Sequence, residues 1–210
     1  MFLPALLAAH SMTQEKSTFL ILLVRPENAP TYSAERSKEI QDGHMAHLTK
    51  LFNAGTAKVA GPFMEDQRIR GIVLVEAKNM EMAKMAPMAD PAVMAGRLAA
   101  EVYPWAIAPV TFGKAVEPMQ LVTNTMVLIE RVNFTPKSFS SQHAIYQTKL
   151  GPTLISGVIP GEFKYIDAFI VPGEDKSKVT ALAAKHPAVV GGYGKAIVLA
   201  WGSAKGVVSR

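Results

Sequence analysis

The chain has 210 residues, 49% of them apolar, with 22 basic against 17 acidic residues and a net charge of +5. That supply of apolar residues suits two modest cores, and the basic residues form no run, so neither nucleic acid nor a membrane surface is an expected partner. Without cysteine, disulfides, thiolate nucleophiles and metal centres built on cysteine are excluded.

In chain order, residues 1–16 read as a leader or extension. The apolar run before Ala9-His10-Ser11 looks like the end of a secretory signal, while Met12-Thr13-Gln14 reads as a cytosolic start. Cytoplasm is the expected location, with export as the alternative if the leader acts as a signal. Ser17 to Arg25 is a short, nearly continuous apolar run stopped by Pro26, the pattern of a buried strand. Ser33 is placed to cap a helix whose stripe runs through Ile40, Met45 or His44, Leu48, Leu51 and Phe52, with Gly55 ending it. Two strands follow, Ala57 to Ala60 and Ile69 to Glu76, around the turn-rich Gly61-Pro62. Asn79 caps a second helix in which Met80, Met82, Met85 and Met88 are read as packing against the sheet rather than as metal ligands. Asp90-Pro91 breaks that helix, and Val102 to Thr111 supplies a last strand.

The chain then repeats itself. Pro91, Ala92, Val93, Gly96, Ala100, Val102 and Trp105 recur 96 positions on as Pro187, Ala188, Val189, Gly192, Ala196, Val198 and Trp201. Gln142 to Leu150 likewise echoes Gly43 to Leu51, keeping the histidine (His44, His143) and the Thr-Lys-Leu. The first column differs: Asp90 in copy one is His186 in copy two. The expected organisation is a first repeat over residues 17–112, a linker over 113–123, a degenerate second repeat over 124–204 and a tail over 205–210. Strand, helix, strand, strand, helix, strand in each copy predicts an α+β fold of two tandem ferredoxin-like (βαββαβ) repeats. Their bare sheet faces pack on one another as an intrachain pseudo-dimer, an α+β barrel, with a further homodimer left open. Trp105 and Trp201 are expected at equivalent places, in packing or between the copies.

At His44, Ala60-Gly61-Pro62 and Asp90-Pro91 through Ala95-Gly96, copy one resembles the YCII (YciI-like) family of small dimeric α+β-barrel proteins. Copy two resembles it from about Asn124 to Trp201, with His186 for the acid and Val158 for the proline. The resemblance implies that His44 and Asp90 meet in a cleft as a catalytic pair. A carboxylate beside an imidazole orients the ring and fixes its tautomer, leaving the other nitrogen to move a proton.

The expected activity is therefore that of a lyase or isomerase acting without a cofactor on a small cyclic or aromatic-derived acid. The alternative is a non-catalytic small-molecule binding or accessory protein. His143 and His186 in the matching corner of copy two would attract an anionic ligand when protonated. His44 and His47 stand at i and i+3 without a third ligand, so no metal site is expected. Gly191-Gly192-Tyr193-Gly194 follows a helix and is not a dinucleotide loop.

Overall fold

The computed structural model describes residues 16–65, 68–134, 139–173 and 175–209, so residues 1–15 of the leader lie outside the described residues. Copy one runs β1 (Ser17–Val24), α1 (Ala34–Asn53), β2 (Ala57–Pro62), β3 (Ile69–Ala77), α2 (Met80–Met88), α3 (Pro91–Met94), β4 (Ala99–Pro104), β5 (Ala106–Ile107) and β6 (Thr111–Phe112). Copy two runs β7 (Leu121–Arg131), α4 (Phe139–Lys149), β8 (Ile155–Val158), β9 (Tyr165–Pro172), α5 (Lys176–Ala183), α6 (Pro187–Val190), β10 (Gly194–Ala204) and β11 (Val208–Ser209). The helix signals act where the sequence puts them. Ser33 accepts from the Arg36 amide and Asn79 from the Met82 amide, and Gly55 takes a positive φ of 68°.

Two main antiparallel sheets result, ordered β2-β3-β1-β4 and β10-β7-β9-β8-β5, beside a two-stranded ribbon of β11 and β6. Each is the ferredoxin-like order, and the second gains β5 from copy one as a fifth strand. Their inner faces share one core, with Leu20, Leu22 and Leu74 of the first sheet against Met126, Leu128 and Ile170 of the second. Each outer face carries its own helices over a smaller core. This is the expected α+β barrel of two ferredoxin-like repeats packed sheet to sheet. Burying such a Leu or Ile contributes about 1.5–3 kcal/mol, so the inter-sheet core ties the copies into one folding unit.

The pseudo-twofold is written in reciprocal contacts. Trp105 Nε1 donates to Gly157 O at 2.8 Å, and Trp201 Nε1 donates to Gly61 O at 3.2 Å. Each tryptophan, fully buried, thus crosses to the edge strand of the other copy. The sheet edges close in the same places. Ala106 and Ile107 pair with Val158 and Gly157, while Phe63 bridges Trp201 and the Met64 amide donates to Ala200 O. No helix among the described residues is long and apolar enough to cross a membrane.

Two sequence expectations are corrected. The expected last strand of copy one, Val102 to Thr111, is three short strands, with β4 on β1, β5 crossing to β8 of the other copy and β6 on β11. Met80 packs against the sheet of copy one, but Met82, Met85 and Met88 are 48%, 66% and 68% exposed. The small residues Ala83 and Ala86 take the buried face of α2 instead, letting the helix lie close to the sheet.

Candidate active site

In copy one, α1 delivers His44 and the start of α3 delivers Asp90. Asp90 is the N-cap of α3, with Oδ1 accepting from the Ala92 amide at 2.8 Å. Its other oxygen, Oδ2, lies 2.7 Å from His44 Nδ1. A carboxylate only accepts, so the Nδ1 proton is donated to it and Nε2 is left with the lone pair. Asp90 is almost wholly buried and the His44 side chain retains 12% exposure. Nε2 has no partner among the described residues, an arrangement that can serve as a base backed by a buried acid. Gly43 makes the approach possible. A Cβ there would sit 2.9 Å from Pro91 Cγ, and copy two, where the contact differs, has Gln142 at that position. His47, one turn on, is not part of the pair. Its Nε2 faces Ala86 O at 2.8 Å, giving a partner to a carbonyl near the end of α2.

Copy two brings His143 and His186 together, with 5.6 Å between ring centroids, and adds a residue that sequence reasoning missed. Asp167 of β9 lies between them, with Oδ2 2.6 Å from His143 Nε2 and 2.9 Å from His186 Nε2, while Oδ1 accepts from the Ala168 amide. All three side chains are buried. The anion that two imidazoles would attract is thus met by the chain's own carboxylate. His186 replaces Asp90 as a cap as well as in position: its Nδ1 accepts from the Ala188 amide at 3.2 Å. That fixes its proton on Nε2, aimed at Asp167.

The strand register shows where the acid moved. Leu23 pairs with Gly71 next to a bulge in β1, and Ile129 pairs with Asp167 next to a bulge at the matching place in β7. Gly71 therefore stands where Asp167 does. A Cβ at Gly71 would meet Gly61 O at 2.7 Å, so in copy one no side chain fits and the carboxylate comes from the helix cap instead. The signal for Asp167 was present in the sequence: an acid inside the apolar strand Tyr165 to Ile170 is costly unless it is partnered.

The ligand atoms of His143, Asp167 and His186 lie within 4.8 Å of one another, as a metal ion would need. The hydrogen bonding argues against an ion. A ligating histidine donates its second N–H to an acceptor, whereas His186 Nδ1 faces an amide donor. Tyr146 packs edge-on against His186 at 4.9 Å, and burial with the nearby Asp167 charge pushes its phenol well above the ordinary range.

Two clefts open elsewhere on the surface. One of about 350 Å³ is lined by Ala108 to Thr111 and Thr153 to Ser156, the other of about 300 Å³ by Arg131 to Phe134 and Glu162. Neither includes a histidine.

No family model matches the chain, and no curated protein matches it. Solved structures do. A candidate monooxygenase from Fusobacterium nucleatum subsp. nucleatum superposes with a TM-score of 0.56 at 10% identity, covering 95% of this chain and 99% of its own. A candidate chlorite dismutase gives 0.52 at 10% identity, covering 93% and 95%. A heme-binding protein from Thermus thermophilus gives 0.50 at 11% identity, covering 90% and 91%. At such identities the likeness is one of fold.

Proposed function

We propose that copy one is a proton-transfer site for a small cyclic or aromatic-derived acid, of lyase or isomerase type, with no cofactor. The observation that carries this reading is the 2.7 Å contact of His44 Nδ1 with Asp90 Oδ2, which leaves Nε2 without a partner among the described residues. Nε2 takes the proton from an acidic C–H, the imidazolium that forms is paired with Asp90, and the proton then returns to another carbon or to the leaving group. Such a positioned base contributes about 10²–10⁴ in rate. The resemblance of His44, Gly61-Pro62, Asp90-Pro91 and Gly96 to the YCII family supports it. In this reading the repeats span residues 17–112 and 124–204, and copy two is scaffold. A ligand anion at His143 and His186 would have to displace Asp167.

One structural relative binds heme, and the copy-two histidines of this chain do not suit that group. An axial histidine needs a free nitrogen in an apolar slot. His186 has both nitrogens engaged and His143 Nε2 is held by Asp167, while His44, whose Nε2 is free among the described residues, lines neither described cleft. Neither described cleft therefore offers heme an axial histidine.

The second reading is a non-catalytic small-molecule binding or accessory protein, favoured by the 350 Å³ cleft that lies apart from His44. Incubating a panel of small cyclic acids with the protein in D₂O and following their acidic C–H by NMR separates the two. Proton transfer predicts deuterium uptake that is lost in His44→Gln while binding persists. Binding without uptake in the unaltered protein, unchanged in His44→Gln, would establish the second reading.

A further inference from the structure

The exposed methionines of α2 have no role in the fold or in the site just described. Met82, Met85 and Met88 stand at i, i+3 and i+6 on the solvent face, while Ala83, Ala86 and Pro87 are the buried residues. Copy two provides an internal control. The caps Asn79 and Asp175 correspond at the same 96-residue offset, as do the buried Ala83 and Val179, so the three methionines correspond to Lys178, Ala181 and Ala184. The fold therefore does not need large apolar side chains at these places. A protein-docking face would be served equally by Leu, Ile or Phe, yet all the large exposed apolar side chains on the helices of copy one are methionines: Met45, Met82, Met85, Met88 and Met94. What methionine alone among them supplies is a thioether sulfur, a soft and polarizable ligand.

We propose that Met82, Met85 and Met88 form a surface site for a soft monovalent d¹⁰ cation, Cu(I) or Ag(I). Residues three apart on a helix have Cβ atoms about 5–6 Å apart, and the three rotatable bonds of methionine let two sulfurs close on one ion between them. Met82 and Met85 form one such pair and Met85 and Met88 the other, so Met85 belongs to both. Soft thioether donors select Cu(I) over the hard cations, which prefer oxygen. Lys84, the cation beside the stripe, is paired with Glu81 at 3.0 Å and is not left as an isolated positive charge there.

The test uses the whole chain labelled with ¹³C-methyl methionine and titrated with silver nitrate, a redox-inert member of the same ion class. The methyl signals of Met82, Met85 and Met88 should move first, ahead of the exposed Met119 and of the histidine ring signals. Met85→Leu should weaken binding by about tenfold or more, because both chelating pairs are lost. Met82→Leu or Met88→Leu should weaken it only about twofold, because one pair remains. All three residues are exposed, so melting curves of the variants should overlay that of the unaltered protein. Movement of Met119 together with Met85, or a Met85→Leu variant that binds unchanged, would overturn the assignment.

Discussion

Removing the Asp167 carboxylate is the sharpest test of the copy-two triad as a structural unit. In Asp167→Ala the Nε2–H groups of His143 and His186 lose their shared acceptor inside the core, and the Ala168 amide loses Oδ1. Breaking a buried charged network by removing one partner costs about 3–5 kcal/mol. Against a total of about 5–15 kcal/mol for an ordinary domain, that is a large share. Asp167→Asn should cost less, about 1–2 kcal/mol. With its oxygen in the place of Oδ2 it can still accept from both imidazoles, while its NH₂ then faces the Ala168 amide and that one hydrogen bond is lost. Urea unfolding followed by circular dichroism, comparing midpoints at equal slope, measures both. An alanine variant losing less than about 1 kcal/mol, or an asparagine variant as damaged as the alanine one, would refute the reasoning.

Three further outcomes follow from the packing. Gly71→Ala should lose about 1–3 kcal/mol in the same urea assay, since its Cβ would meet the Gly61 carbonyl at 2.7 Å. Trp105→Phe and Trp201→Phe should each lose about 1 kcal/mol of hydrogen bonding between the copies, and the double variant about the sum. Burial pushes the Tyr165 phenol up to about 12, against about 10 in the unfolded chain, so the folded state holds this proton longer. The resulting stability is complete below about pH 10 and is lost as pH rises toward 12, and Tyr165→Phe should flatten that alkaline decline in pH-dependent melting curves.

The two-copy architecture was legible because its carriers are local. Pro91 and Pro187 start helices, Gly55 stops one, and the apolar runs from Phe19 and Met126 have strand character wherever they stand. The strand donated by Ala106 and Ile107 was not legible, since a two-residue strand has no periodicity of its own and exists only because Trp105 anchors it on the other sheet. His44 and Asp90 are brought together as the family resemblance implies, each placed by its own helix. Asp167 is hidden from any comparison of columns that the copies share, because its counterpart is Gly71, which carries no side chain. The α2 methionines mislead for a related reason. Their spacing fits one helix face, but the sheet selects the face bearing Ala83 and Ala86, whose small side chains allow closer approach.

The central claim is that copy one holds an oriented base, and the protonation pattern of one ring tests it most directly. A long-range ¹H–¹⁵N correlation spectrum, recorded where the His44 ring is neutral, should show its proton on Nδ1 and the lone pair on Nε2. In Asp90→Asn the side-chain oxygen must keep the Ala92 amide, so its NH₂ turns to His44 Nδ1 and the tautomer should invert. A His44 ring protonated on Nε2 in the unaltered protein, or one indifferent to Asp90→Asn, would contradict the account.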